Sequence, residues 1–151
     1  MTTEQVDYGT FEAALIKSKI LERELHENPE KHKILTGDRP TGKLHIGHFF
    51  GSLQNRVRLH KLGVPTFIVI ADYQVLTDRD TFEGISENVR ELTIDYLAAG
   101  IDPTDGKTFI FPHSHVPELN QLLLPFLTLV TNAELDRNPT VKEEIVASGQ
   151  K

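Results

Sequence analysis

Gly37-Asp38-Arg39-Pro40-Thr41-Gly42-Lys43-Leu44-His45-Ile46-Gly47-His48 is the stretch on which the reading of this chain turns. On its amino-terminal side, residues 33–36 read as a short apolar strand that runs into Gly37. On its other side, residues 44–62 read as a helix closed by Gly63, with Pro65 just beyond. Residues 66–71 (TFIVIA) are β-branched and aromatic almost without a break, as in a strand buried on both faces. A second helix follows an N-cap at Asp80 or Thr81, carries Phe82, Ile85, Val89, Leu92 and Tyr96 on one side, and closes at Gly100. Residues 108–111 form the third strand. Strands alternating with helices of this length predict an α/β fold: a Rossmann-like parallel sheet with right-handed crossovers and helices on both faces.

The flanks differ from this core. Between Thr10 and Glu27 the residues Phe11, Ala14, Leu15, Ile16, Ile20, Leu21 and Leu25 recur at helical spacing, and Pro29 ends the helix. Residues 1–32 are therefore expected to be a helical extension, solvent-facing and packed on the core, with residues 33–151 forming the α/β domain. After the third strand, residues 119–131 are apolar and helical in pattern. Pro125 lies inside them and either kinks that helix or opens a second one. Residues 132–151 are polar and include no closing strand, so the chain is expected to stop within its fold.

At 151 residues the chain is one ordinary domain, long enough to bury about 70% of the surface its unfolded form exposes. Hydrophobic residues at 38% and charged residues at 25% fit a folded globular protein. No run approaches the ~20 apolar residues of a membrane span, and the first residues lack a signal-peptide pattern. The absence of cysteine excludes a disulfide framework and a thiolate metal site, and agrees with a cytoplasmic location. A net charge of −6 argues against a surface built throughout to hold nucleic acid. An RNA partner would need a local patch or a further domain.

In an open parallel sheet, ligands bind outside the carboxyl ends of the strands, which is where residues 37–48 fall. Glycines there let the backbone turn sharply and approach a ligand, and a helix start offers unpaired N–H groups that suit phosphate. Gly37-x4-Gly42-Lys43 nearly completes a P-loop, but that motif next requires Ser or Thr for magnesium, and Leu44 stands there. The other reading takes His45-Ile46-Gly47-His48 as a unit. Two imidazoles three residues apart share one face of the first helical turn. They can donate hydrogen bonds to phosphate, above all to charge that develops when the α-phosphate is attacked. Gly47 between them leaves room for a flat base. His113 and His115 resemble a metal pair, but Pro112 and Pro117 flank them and no third ligand is near in sequence, so no metal site is expected.

His45–His48 resembles the HIGH signature of the class I aminoacyl-tRNA synthetases. The wider stretch from Gly37 through Gly42 to Gly51-Ser52-Leu53 looks like the tryptophanyl branch. Ile70-Ala71-Asp72-Tyr73-Gln74, Leu97-Ala98-Ala99-Gly100-Ile101-Asp102-Pro103, Glu134-Leu135-Asp136-Arg137 and Val141-Lys142 continue the resemblance, which covers residues 33–151. The family often has Gln in place of Arg39 and His in place of Gln74. A second signature, the KMSKS loop, is absent, and Met1 is the only methionine.

The resemblance implies the amino-terminal half of an enzyme that activates tryptophan with ATP and magnesium, then transfers it to tRNA(Trp). His45 and His48 would be catalytic. Thr36, Gly37, Asp38, Arg39, His45, Gly47, His48 and Lys142 would bind ATP, and Arg39, Asp72 and Gln74 would face the amino acid. Magnesium would arrive with ATP, with no protein metal site, and a cytoplasmic homodimer without membrane contact is expected. Tyrosine activation, another nucleotidyltransferase with the same histidines, and a non-catalytic nucleotide-binding or association fragment are the alternatives.

Overall fold

The computed structural model describes residues 10–77 and 83–148. Helix α1 (Thr10–Glu27) leads into strand β1 (Ile34–Asp38). A helical rod over residues 46–61 follows, built from α2 (Ile46–His48), a wider π-helical turn (Phe49–Leu53) and α3 (Gln54–Lys61). Strand β2 (Thr66–Ile70), helix α4 (Ile85–Ala99) and strand β3 (Thr108–Pro112) complete the core. Gly100 ends α4 with φ 103°, the left-handed cap expected from its position. The N-cap candidates Asp80 and Thr81, and Phe82, lie outside the described residues; α4 as described opens at Ile85 from Gly84.

The three strands are parallel in the order β1-β2-β3, with Thr36 opposite Ile68 and Ile68 opposite Ile110. All three run one or two residues beyond, or within one residue of, the limits read from sequence. β1 gains Gly37 and Asp38, which moves the start of the following loop to Arg39.

The sheet is not covered alike on its two sides. Leu53 and Val57 from the rod, Ile68 and Ile70 from β2, and Leu92, Tyr96 and Ile101 from α4 and its end form one cluster on one face. Leu92 and Tyr96 are fully shielded at 0% exposure. On the other face the cross-strand row Leu35, Phe67, Phe109 leaves Leu35 74% and Phe109 49% exposed. The expectation of helices on both faces is thus met on one, among the described residues. The reason is topological: successive steps β1 to β2 to β3 run in one direction, so two right-handed crossovers lay both helices on the same side.

The amino- and carboxyl-terminal helices pack less than their patterns predict. α1 buries Leu25, yet Phe11, Leu15, Ile16, Ile20 and Leu21 stay exposed, so this helix is not packed on the core along its apolar stripe. Its tie to α3 is polar: Arg58 donates to both carboxylate oxygens of Glu22, at 2.5 and 3.1 Å. Past β3, Pro125 sits in the first turn of a second short helix, Leu123–Leu127, after Glu118–Gln121, so it opens a helix rather than kinking one. The polar tail forms two further helices, Asn132–Leu135, started by a reciprocal Thr131–Glu134 capping box, and Pro139–Ser148.

Asp38, the last residue of β1, fastens the sheet to both covering helices. Arg56 donates through both terminal nitrogens to the Asp38 carboxylate, and the Tyr96 hydroxyl donates to the same carboxylate at 2.6 Å. Burial works to raise the Asp38 carboxyl, but the hydrogen bonds from Arg56 and Tyr96 outweigh it and hold it below its ordinary value of 3.8. Burial and the neighbouring carboxylate push the Tyr96 phenol well above its usual range.

Two measurements check this arrangement. A Cβ at Gly37 would lie 2.1 Å from the Val69 carbonyl oxygen across the ladder. Gly37→Ala should therefore cost about 3 kcal/mol in denaturant unfolding, the upper end of overpacking penalties. Asp38→Asn should cost about 2 kcal/mol at neutral pH, since it leaves the Arg56 charge without its partner and Asp38 is only half-buried. Because the folded-state carboxyl is depressed, its stabilisation is full above pH 3.8 and is lost as pH falls through the lower folded value. The gap between wild type and Asp38→Asn should narrow on acidification, and a gap independent of pH would contradict the assignment.

Candidate active site

The carboxyl ends of β1, β2 and β3 each turn into a polar loop on the same edge of the sheet, and the sequence-predicted residues gather there in two groups. The first is an open cleft of about 420 Å³ lined by Asp38, Arg39, Thr41, Gly42, Lys43, Leu44, His45 and His48. Gly42 turns the loop with φ 148°, inside the region that favours glycine.

The two histidines cap each other's helix turn. His45 is the N-cap, and its Nδ1 accepts from the Gly47 amide at 3.1 Å. His48 reaches back, and its Nδ1 accepts from the His45 amide at 3.2 Å. This is a capping box built from imidazoles in place of the usual hydroxyl and carboxyl. An amide that donates to Nδ1 finds that nitrogen without a proton, so the neutral rings carry theirs on Nε2. The rings lie 3.9 Å apart between centroids and are exposed, which leaves two Nε2–H donors at the cleft rim. Gly47 leaves room for the cap: a Cβ there would stand 2.9 Å from His45 Cε1, so the His45 ring would have to shift.

Asp38 lines the cleft, and its carboxylate is engaged by Arg56 and Tyr96 as an anchor. Arg39 joins the cleft lining. Thr36 and Gly37 lie behind it in β1, with Thr36 on the row of Ile68 and Ile110. Lys142, on the helix Pro139–Ser148, is exposed and is not part of the cleft wall.

The second group joins β2 to β3. Asp72 is 8% exposed and accepts from the Tyr73 amide at 3.1 Å, the Ser114 amide at 3.0 Å and the Ser114 hydroxyl. It is a clasp between two turns. Gln74 meets His113 Nδ1 at 3.1 Å, His113 packs edge-on against Tyr73, and Asn120 donates to the Tyr73 hydroxyl at 3.3 Å. His113 thus serves this cluster, and no group of three or more metal-ligating side chains occurs among the described residues. Nor is any described helix long and apolar enough to cross a membrane.

Among the contributors not singled out as site residues from sequence are Arg56 and Tyr96, which hold Asp38, Asp95, whose carboxylate accepts from the Leu44 amide at 2.8 Å, Ser114 and Asn120. Ser114 alone had a positional signal, since it follows β3 as Asp38 and Asp72 follow or close β1 and β2.

Comparison with known proteins gives the family of the chain. A family profile described as "tRNA synthetases class I (W and Y)" matches residues 27–150. A tryptophan–tRNA ligase of Clostridium longisporum is 56% identical over 117 residues, which is 76% of this chain and 34% of that protein. The crystal structure of tryptophanyl-tRNA synthetase from Campylobacter jejuni superposes with a TM-score of 0.68 at 29% identity, over 80% of this chain and 36% of that one. The same enzyme complexed with ADP and tryptophan gives a TM-score of 0.67 at 28% identity, over 76% and 35%. The chain spans about a third of the length of the curated relatives it matches. With the profile covering most of its residues and the fold shared across the aligned length, this chain belongs to the class I tRNA synthetase family of the tryptophan and tyrosine type.

Proposed function

We propose that this chain carries the nucleotide-binding part of a cytoplasmic enzyme that activates tryptophan with ATP and passes it to tRNA(Trp). The observation that carries the reading is the reciprocal histidine cap, which aims two Nε2–H donors at the rim of a cleft at the carboxyl end of β1. In the reaction, a carboxylate oxygen of the amino acid attacks the α-phosphorus, the bond to the bridging oxygen breaks, and pyrophosphate leaves with that oxygen. No protein group is covalently attached, so catalysis consists of positioning and charge stabilisation.

His45 and His48 donate to the phosphate oxygens on which charge grows, and Arg39 supplies a fixed cation for phosphate or for the amino-acid carboxylate. Gly47 keeps the backbone open beneath the nucleotide, while Thr36 and Gly37 support the cradle from within β1. Asp38 acts through the loop it anchors. Lys142 approaches from the carboxyl-terminal helix. Gln74, which meets His113, faces the amino acid. Asp38 is the one carboxylate among the described cleft-lining residues and is already engaged, so magnesium fits as an ion carried by the ATP phosphates. A homodimer and tRNA(Trp) are the macromolecular partners of the whole enzyme, and the net charge of −6 assigns tRNA contacts to a local patch or a further domain.

A second reading, a nucleotide-binding or association fragment without turnover, is favoured by the exposed side chains of Leu123, Leu124, Phe126, Leu127 and Leu129 beyond β3. Pyrophosphate exchange into ATP, run with tryptophan and tyrosine in parallel, separates the two. Tryptophan-dependent exchange supports the enzyme; tyrosine-dependent exchange changes the substrate; no exchange from a folded, ATP-binding sample supports the fragment. In an exchange-competent protein, His48→Ala should slow adenylate formation by about 10²–10³-fold while changing ATP affinity far less. Equal losses in both would remove His48 from the transition state.

A further inference from the structure

The nucleotide loop is held from one side by a single helix. Glu91, Asp95 and Tyr96, all on α4, meet it at three points. Tyr96 binds Asp38 at the start of the loop, and Glu91 stands 3.3 Å from the Lys43 ammonium. Between them, the Asp95 carboxylate accepts the Leu44 amide at 2.8 Å in a part-buried hydrogen bond. Leu44 immediately precedes the His45 N-cap, whose extended backbone (φ −125°, ψ 173°) sets where both imidazoles point.

We propose that Asp95 is a positioning residue for the reaction: it fixes the backbone at Leu44 and thereby sets the reciprocal His45–His48 cap that presents the two Nε2–H donors. The role in ATP binding rests on the function proposed above; the effect on the cap does not. A bond from a backbone amide to a carboxylate is charge-assisted and worth roughly twice a neutral one. It acts where the chain leaves an open loop and has no ladder partner. The Lys43–Glu91 pair is a different case, because the lysine is 76% exposed and such pairs contribute little. Of the two carboxylates one turn apart on α4, Asp95 is the one whose loss should reach the histidines.

Amide hydrogen exchange on the whole chain tests this, with Asp95→Ala, Asp95→Asn and Glu91→Ala beside wild type. The His45 and Gly47 amides donate to imidazoles, whereas the Asp95 carboxylate accepts from Leu44, so they report transmission to the cap. Asp95→Ala should speed their exchange about tenfold, the effect of losing one hydrogen bond to a charged group. Amides of Ile68 and Leu92 should keep their rates. Asp95→Asn, which retains an acceptor oxygen, should restore most of the protection, and Glu91→Ala should leave it intact.

Unchanged exchange at His45 and Gly47 in Asp95→Ala would overturn the proposal. So would equal acceleration at the core amides, which would make Asp95 a general stabiliser, or failure of Asp95→Asn to rescue. ATP titration of the same samples is read separately. Wild type should bind ATP, and Asp95→Ala should bind it several-fold more weakly. A wild-type protein that shows the exchange pattern but binds no ATP would refute the nucleotide reading and leave the effect of Asp95 on the cap standing.

Discussion

The shared hydrogen bonding of Asp38 with Arg56 and Tyr96 is the constraint on which the rest of this structure depends. A ligand loop at the end of a parallel strand sits where the sheet's own ladder stops, so it needs another source of order. Tyr96 is fully shielded within the apolar cluster, and its hydroxyl must find a partner there. The carboxylate at the end of β1 supplies it and also satisfies the Arg56 guanidinium from the rod. One side chain thus binds strand, rod and helix at the point where the loop leaves the core. Removing it would orphan a phenol and a cation together.

The same logic recurs one strand over. Asp72 follows β2 as Asp38 closes β1, and both carboxylates are engaged within the protein, Asp38 by two helices and Asp72 by two turns. The acids at the strand ends act as anchors, which leaves the imidazoles of His45 and His48, with Arg39, facing the cleft. Two neutral donors and a cation make an edge suited to an anionic ligand, even in a chain whose net charge is −6. Local arrangement decides the sign of this surface; composition does not.

Much of the architecture was legible in the residues. The β-branched run of β2, the capping glycines Gly63 and Gly100 and the helical spacing around Leu92 and Tyr96 led to the three strands and two crossovers observed. The histidine tetrad pointed to the edge where the cleft lies. The side-chain contacts that escaped reading have a common cause, separation along the chain. Asp38 and Tyr96 are 58 residues apart, Leu44 and Asp95 are 51, and Asp72 and Ser114 are 42. A helical pattern marks Tyr96 as core-facing but says nothing of the carboxylate its hydroxyl will meet. The sheet face left partly uncovered among the described residues escaped for another reason: an apolar strand pattern records which residues seek cover, and not what supplies it. The stripe of α1 and the exposed leucines after β3 carry that lesson too.

The central claim is that the anchored loop presents His45 and His48 to a nucleotide while Asp38 stays bound within the protein. A crystal structure of this chain with a non-hydrolysable ATP analogue and magnesium tests it most directly. The account predicts phosphate oxygens within hydrogen-bond distance of both Nε2 atoms, with Arg56 and Tyr96 still on the Asp38 carboxylate. A nucleotide seated away from the histidines, or an Asp38 released to bind the analogue or its metal, would contradict it.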